Sequence, residues 1–231
     1  LFRSLTVIPN NTMYAFYVLL GFIVACQGRH QYLDLFELTN AEGQSVYIES
    51  EVPDLSQTPS RDYNFNDYAS SICIEGVWIL YEDKKYNPAK DAFVEAFWGY
   101  NACFNLYRPG ISSSVRFAGD FQNSGVPAVT LYDRTWFQGG EKYFTNQQVD
   151  MCKNCASESL IINGNYAWTV YSQNYFRGES ACLLPKDDKP LLMNDSRKHI
   201  KFTILSFRIG CSSYNVIGEE MPASGRMSNS N

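Results

Sequence analysis

The run Asn66-Asp67-Tyr68-Ala69-Ser70-Ser71 is the stretch of this chain best equipped for chemistry. It offers an amide oxygen, a carboxylate and two hydroxyls within one short segment. These are the hard oxygen donors that calcium takes, six to eight at a time, so Asn66, Asp67, Ser70 and Ser71 are candidate ligands. The same composition also builds an ordinary Asn/Asp/Ser turn, and the run alone does not choose between the two.

A second constellation is Cys152-Lys153-Asn154-Cys155, which has the spacing of half a zinc site. No second C-x2-C pair accompanies it, and His199 is the only histidine nearby. Setting aside Cys26, six cysteines remain: Cys73, Cys103, Cys152, Cys155, Cys182 and Cys211. An even number in an exported chain reads as disulfides. Cys73 and Cys103 stand alone in their half and are expected to pair. The connectivity of the other four is open.

Export is suggested by the N-terminal stretch. A short apolar run from Tyr17 to Ala25 follows Met13, with small residues Cys26 and Gly28 after it. That is the length of a signal-peptide core and too short to span a bilayer. A buried core helix is the alternative. The expectation is a signal peptide within residues 1–28, starting at Met13, and a secreted, extracellular chain from Arg29 with no transmembrane segment.

Enzyme signatures are missing. His30 and His199 are the only histidines, and no G-x-S-x-G, H-E-x-x-H, P-loop or dinucleotide fingerprint occurs. A net charge of −5 with no basic run argues against a nucleic-acid partner. Asn194-Asp195-Ser196 is a glycosylation sequon, with Asn194 as the acceptor.

The elements that must position these residues show themselves as a repeat. Tyr132-Asp-Arg-Thr-Trp-Phe137-Gln-Gly139 and Tyr171-Ser-Gln-Asn-Tyr-Phe176-Arg-Gly178 share one spacing: aromatic, four residues, aromatic, one residue, glycine. Tyr81 to Pro88 keeps both aromatics and ends in proline. Phe36 to Gly43 keeps the first aromatic and the glycine, with Ala41 between. A serine in a strand-like context follows each: Ser71, Ser114, Ser159 and Ser206, spaced 43, 45 and 47 residues apart. Alternating segments such as Val129–Asp133 read as half-buried strands. The glycine permits positive φ in a tight turn, an aromatic folds back over it, and the serine hydrogen-bonds the turn.

This pattern resembles the Greek-key motif of the βγ-crystallin family. The resemblance covers about 180 residues and four units. It implies an all-β fold of two domains, each a sandwich of two four-stranded sheets made by a pair of Greek keys. The expected boundaries are 29–119 for the first domain, 120–125 for a linker, 126–212 for the second domain and 213–231 for a flexible tail.

The resemblance also bears on Asn66 to Ser71, which matches the N/D-N/D-x-x-S/T-S calcium loop of the family. It implies one calcium site, completed by the partner hairpin Tyr81 to Pro88. The other three loops depart from the loop pattern, so the second domain is expected to bind none. The functional expectation is a secreted, non-enzymatic structural protein, calcium-binding in its first domain and self-associating. The alternative is a binding protein for an apolar ligand or pigment, or for a protein, glycan or membrane partner. Its motivation is the aromatic excess, 15% of the chain; in Asp91 to Tyr100 both faces are largely apolar, so that Phe93, Phe97, Trp98 and Tyr100 could form an aromatic surface. A strand covered by the second domain is the plainer reading of that segment.

Overall fold

A computed structural model describes residues 28–57, 64–89, 92–150, 157–187, 189–218 and 225–229. The expected signal peptide up to residue 27, and Cys152 and Cys155, lie outside the described residues. Every sheet is built from antiparallel pairs, with one short parallel addition.

The first domain holds β1 (Tyr32–Phe36), β2 (Ser45–Ile48), β3 (Ser71–Tyr81), β4 (Val94–Asn105) and β5 (Ser114–Phe117). Two of these strands serve both layers of the sandwich. The first half of β3 lies beside β1, its second half beside β5, and β4 follows β3 along its whole length. The register slips between Ile74 and Glu75, and Gly76 takes a φ of 96° there. A side chain at Gly76 would collide with buried Gln31, whose Oε1 accepts from Val77 N–H at 2.9 Å. A bare backbone at the bend therefore lets one strand turn from one sheet into the other.

The second domain separates into two four-stranded sheets. One runs β11 (Leu191–Met193), β8 (Ser159–Asn163), β6 (Ala128–Tyr132), β7 (Glu141–Phe144). The other runs β12 (Ser206–Ile209), β9 (Trp168–Gln173), β10 (Arg177–Leu183), β13 (Val216–Ile217). A last strand, β14 (Gly225–Ser228), returns to the first domain and pairs with β4. The segment 213–231, expected as a flexible tail from its polar composition, thus carries two paired strands. Backbone hydrogen bonds to existing sheet edges hold them, and Ile217 packs on the second core and Met227 on the domain-contact cluster.

Among the described residues, three apolar clusters follow. Leu33, Ile48, Phe65, Trp78 and Phe97 belong to the core of the first sandwich. Trp168, Leu183, Met193 and Phe207 belong to that of the second. Val77, Ile79, Val94, Ala96 and Trp98 meet Tyr132, Phe137, Ile161 and Leu192 between the domains. The two apolar faces of β4 are thereby explained. Phe97 enters the first core and Trp98 the domain contact, at 0% and 3% exposure. Phe93 is also buried, and only Tyr100 is partly open, with Arg29 over its ring at 3.9 Å. The alternative of an exposed aromatic surface at Phe93, Phe97, Trp98 and Tyr100 is not what the packing gives: Phe97 turns into the first core, Trp98 into the domain contact, and Phe93 packs beside Tyr107 and Arg108.

Cys73 and Cys103 face each other across β3 and β4 and are bonded. Cys182 and Cys211 are bonded within the second domain.

Candidate metal centre

Each repeat folds its hairpin the same way. Asn40 and Ala41, Lys85 and Tyr86, Trp136 and Phe137, and Tyr175 and Phe176 all take left-handed φ between 57° and 66°. Such φ values are uncommon for bulky residues and need support. The four serines supply it. Ser71, Ser114, Ser159 and Ser206 accept from the N–H of Ala41, Tyr86, Phe137 and Phe176 at 3.0, 3.0, 2.9 and 3.1 Å. Each hydroxyl also donates to a carbonyl of the same hairpin: Leu38, Asp83, Arg134 and Gln173. The two aromatics of a hairpin meet ring to ring, Tyr132 with Phe137 at 5.6 Å and Tyr81 with Tyr86 at 5.7 Å. In the first repeat Ala41 keeps the backbone geometry without the second ring.

These locks place the candidate ligands. The segment before β3 and the segment before β5 face each other as near-equivalents. Asp67 N–H donates to Ser112 O, and Gly110 N–H donates to Ala69 O, both at 2.9 Å. Asp67 (φ 56°) and Gly110 (φ 73°) hold the same left-handed position in the two segments. The exchange carries the Asp67 side chain to the opposite segment, where its Oδ1 accepts from the Ser113 hydroxyl at 3.1 Å. Its Oδ2 accepts from Asn66 Nδ2 at 2.7 Å. Asn66 Oδ1 is buried and has no hydrogen-bond partner.

The four expected ligands therefore part company. Asn66 and Asp67 stay together. Ser71 is committed to the hairpin lock by both its donor and its acceptor capacity. Ser70 is fixed through its backbone, its N–H to Phe36 O and its carbonyl to Leu106 N–H. Ser113, which sequence reasoning missed, takes the place beside Asp67. The signal was present in the repeat, since Ser113 precedes Ser114 as Ser70 precedes Ser71.

The equivalent place in the second domain is chemically different. Glu158 N–H donates to Tyr132 O and Leu205 N–H to Tyr171 O, as Ser70 and Ser113 do to Phe36 and Tyr81. Leu205 brings no oxygen, and the Glu158 carboxylate accepts from Arg197 Nη1 at 2.9 Å. A groove of about 400 Å³ opens there, lined by Ser157, Arg197 and Lys201 among others. Among the described residues, no three His, Cys, Asp or Glu side chains group to hold a metal. Asn194, the sequon acceptor, follows β11 half-buried, its carbonyl accepting from Trp136 N–H at 2.7 Å.

No protein-family model matches this chain, and no curated protein matches it in sequence. Solved structures do. Geodin, a βγ-crystallin from Geodia cydonium, superposes with a TM-score of 0.57 at 18% identity, over 77% of this chain and 98% of Geodin. Protein S, solved in complex with calcium, matches over 78% of this chain and 99% of its own at 18% identity, with a TM-score of 0.30. The fifth crystallin domain of the non-lens protein Absent in melanoma 1 matches 36% of this chain at 19% identity, with a TM-score of 0.31. The four locked hairpins, the sheet orders and the match to Geodin agree: this chain has a two-domain βγ-crystallin-like fold.

Proposed function

We propose that this protein is a secreted, non-enzymatic structural protein whose first domain is held folded by calcium at Asn66, Asp67 and Ser113. The observation that carries the reading is the buried, unpartnered Asn66 Oδ1 beside a carboxylate that reaches across to a hydroxyl of the opposite segment. Amide, carboxylate and hydroxyl oxygens are the donors calcium prefers. Asp67 is exposed, which leaves an entry for a hydrated ion. The set contains a single formal negative charge, which suits the weak extracellular range of roughly 10⁻⁴–10⁻³ M. Two disulfides are compatible with an oxidising compartment, and no helix among the described residues is long and apolar enough to cross a membrane.

An ion that binds only the folded chain adds RT ln(1 + [L]/Kd) to stability, about 1.4 kcal/mol at ten times Kd. The alternative of an aromatic binding surface on β4 loses its main residues to burial, Phe97 in the first core and Trp98 in the domain contact. Calorimetric titration of the chain with calcium tests the proposal. One saturable site, abolished in Asp67→Ala, supports it; no heat up to ~10 mM calcium, well above that weak range, overturns it.

A further inference from the structure

β14 belongs by sequence to the end of the chain, after the second domain, but all its pairing is with the first. Gly225, Arg226, Met227 and Ser228 lie antiparallel to Trp98, Phe97, Ala96 and Glu95. Just upstream, β13 is bound to the second domain, where Ile217 O accepts from Leu184 N–H at 2.8 Å. Six residues, 219–224, connect the two anchored pieces.

The edge of β4 contacts this segment through more than its backbone. Asn229 is 4% exposed and extends the ladder with its side chain. Its Oδ1 accepts from Val94 N–H, its Nδ2 donates to Ala92 O at 2.8 Å, and its own N–H donates to Val94 O at 3.2 Å. Arg226 Nη1 donates to Asn105 O at 2.7 Å and stands 3.8 Å from the carboxylate of Glu95, which is 2% exposed. A strand of another sequence would fill the ladder but leave the Val94 N–H without its acceptor, a costly loss in a buried place. It would also leave Glu95 with the Tyr107 N–H at 2.9 Å and the Arg108 charge but without the cation of Arg226.

We propose that the β4 edge is a strand-binding site selective for Arg-x-x-Asn, and that it accepts this segment from a second copy of the chain. Self-association then proceeds by reciprocal exchange of Gly225–Asn229. The contacts are the same whether the strand comes from its own chain or a neighbour's, so exchange creates no new contact and loses none. A vacated edge would present unpaired backbone groups and a buried carboxylate, for which the released strand of a neighbour is the complement. Two-fold exchange closes on itself and gives a dimer. None of these residues belongs to the Asn66, Asp67 and Ser113 group, so the proposal does not depend on calcium.

The test uses the full chain in EDTA. Asn229→Ala should release the resident strand, read as faster hydrogen exchange at the Val94 amide. That variant should capture a fluorescent peptide of residues 219–231 at least tenfold more tightly than the wild type, whose site is filled. Peptides carrying Arg226→Ala or Asn229→Ala should lose most of that binding. Isotopically light and heavy wild-type chains, mixed at high concentration, should give mixed dimers by native mass spectrometry. A vacated site that ignores the peptide overturns the strand site, as does a variant with unchanged exchange and no capture. A wild type that stays monomeric at all concentrations overturns the exchange.

Discussion

Arg116 of the first domain and Glu141 of the second meet across the domain contact, Nε to Oε2 at 3.2 Å, with the arginine 2% exposed. The same nitrogen donates to Tyr81 Oη at 2.8 Å, so the carboxylate is held by charge rather than by that hydrogen. The remaining guanidinium donors reach Gly139 O and Phe137 O in the second domain. The rings of Tyr81, Tyr86 and Tyr132 enclose the cation at 5.1, 4.8 and 4.6 Å. Burial pushes the Glu141 carboxyl up to about 7; Arg116 opposes the shift and Glu51 adds to it.

A pH dependence follows from that shift. A carboxyl whose pKa is higher folded than unfolded favours the folded state fully below its unfolded value of about 4.5. That contribution fades as pH rises towards 7. The wild type should therefore lose stability between pH 5 and pH 8, by up to about 3 kcal/mol from this group. Glu141→Gln should remove most of that slope. Glu51, itself raised by burial, should leave a smaller slope of the same sign. Thermal unfolding across this pH range reads both, and equal slopes in wild type and variant would refute the assignment.

The serine locks predict a specific cost. Ser159→Ala removes the acceptor of the Phe137 N–H and the donor to Arg134 O, in a position with no solvent exposure. Leaving a buried N–H unpaired costs about 1–3 kcal/mol. The left-handed φ of Phe137 also loses its support. Urea unfolding should show a lower midpoint with an unchanged slope, since the fold persists. A change below ~0.5 kcal/mol, the scatter of ordinary surface substitutions, would mean that the aromatic pair alone holds the hairpin.

The hairpins and their serines were legible in the sequence because both ends of each interaction recur at a fixed spacing. Cys73 with Cys103 was legible for a similar reason, as the two were alone in their half. The passage of β3 and β4 through both layers was not, because Gly76 marks a bend within Ser71–Tyr81 but a lone glycine in a strand does not say which partners lie on either side of it. Ser113 escaped because its partnership with Asp67 spans 46 residues and depends on two segments facing each other. Arg116 escaped for the same reason, since its charge is answered from the other domain. The segment at β14 has a single apolar residue, Met227, too little to betray it; its hold is a ladder, one buried amide, one ion pair and the packing of Met227 on the domain-contact cluster.

Ser113 gives the calcium proposal a finer test. Ser113→Ala should weaken calcium binding severalfold while leaving the apo first domain near wild-type stability, because the hydroxyl is not part of a hairpin lock. Ser71→Ala should instead destabilise the apo domain by about 1–3 kcal/mol, since it unpairs the Ala41 N–H. Calorimetry and urea unfolding on both variants separate the two roles. Equal effects on calcium affinity from the two substitutions would contradict this division of labour.

The disulfides should stabilise each domain to a similar degree. Cys73–Cys103 and Cys182–Cys211 close segments of 30 and 29 residues. Cross-linking loops of that length restricts the unfolded chain by about 3–4 kcal/mol in the chain-entropy account. The first bond joins directly opposed residues of adjacent strands, so its loss leaves a pair already held by the ladder. The second ties Cys182 on β10 to Cys211 just beyond β12, two strands separated by β9. Replacing Cys73 and Cys103 together by serine should lower stability by the entropic amount and leave the first domain folded. Replacing Cys182 and Cys211 should in addition loosen the β10–β13 edge, visible as faster hydrogen exchange at Cys182 and Leu184, whose N–H groups donate to Asn215 O and Ile217 O. Unfolding and exchange measured on both double variants decide the matter, and unchanged exchange in the second would show that β13 holds without the bond.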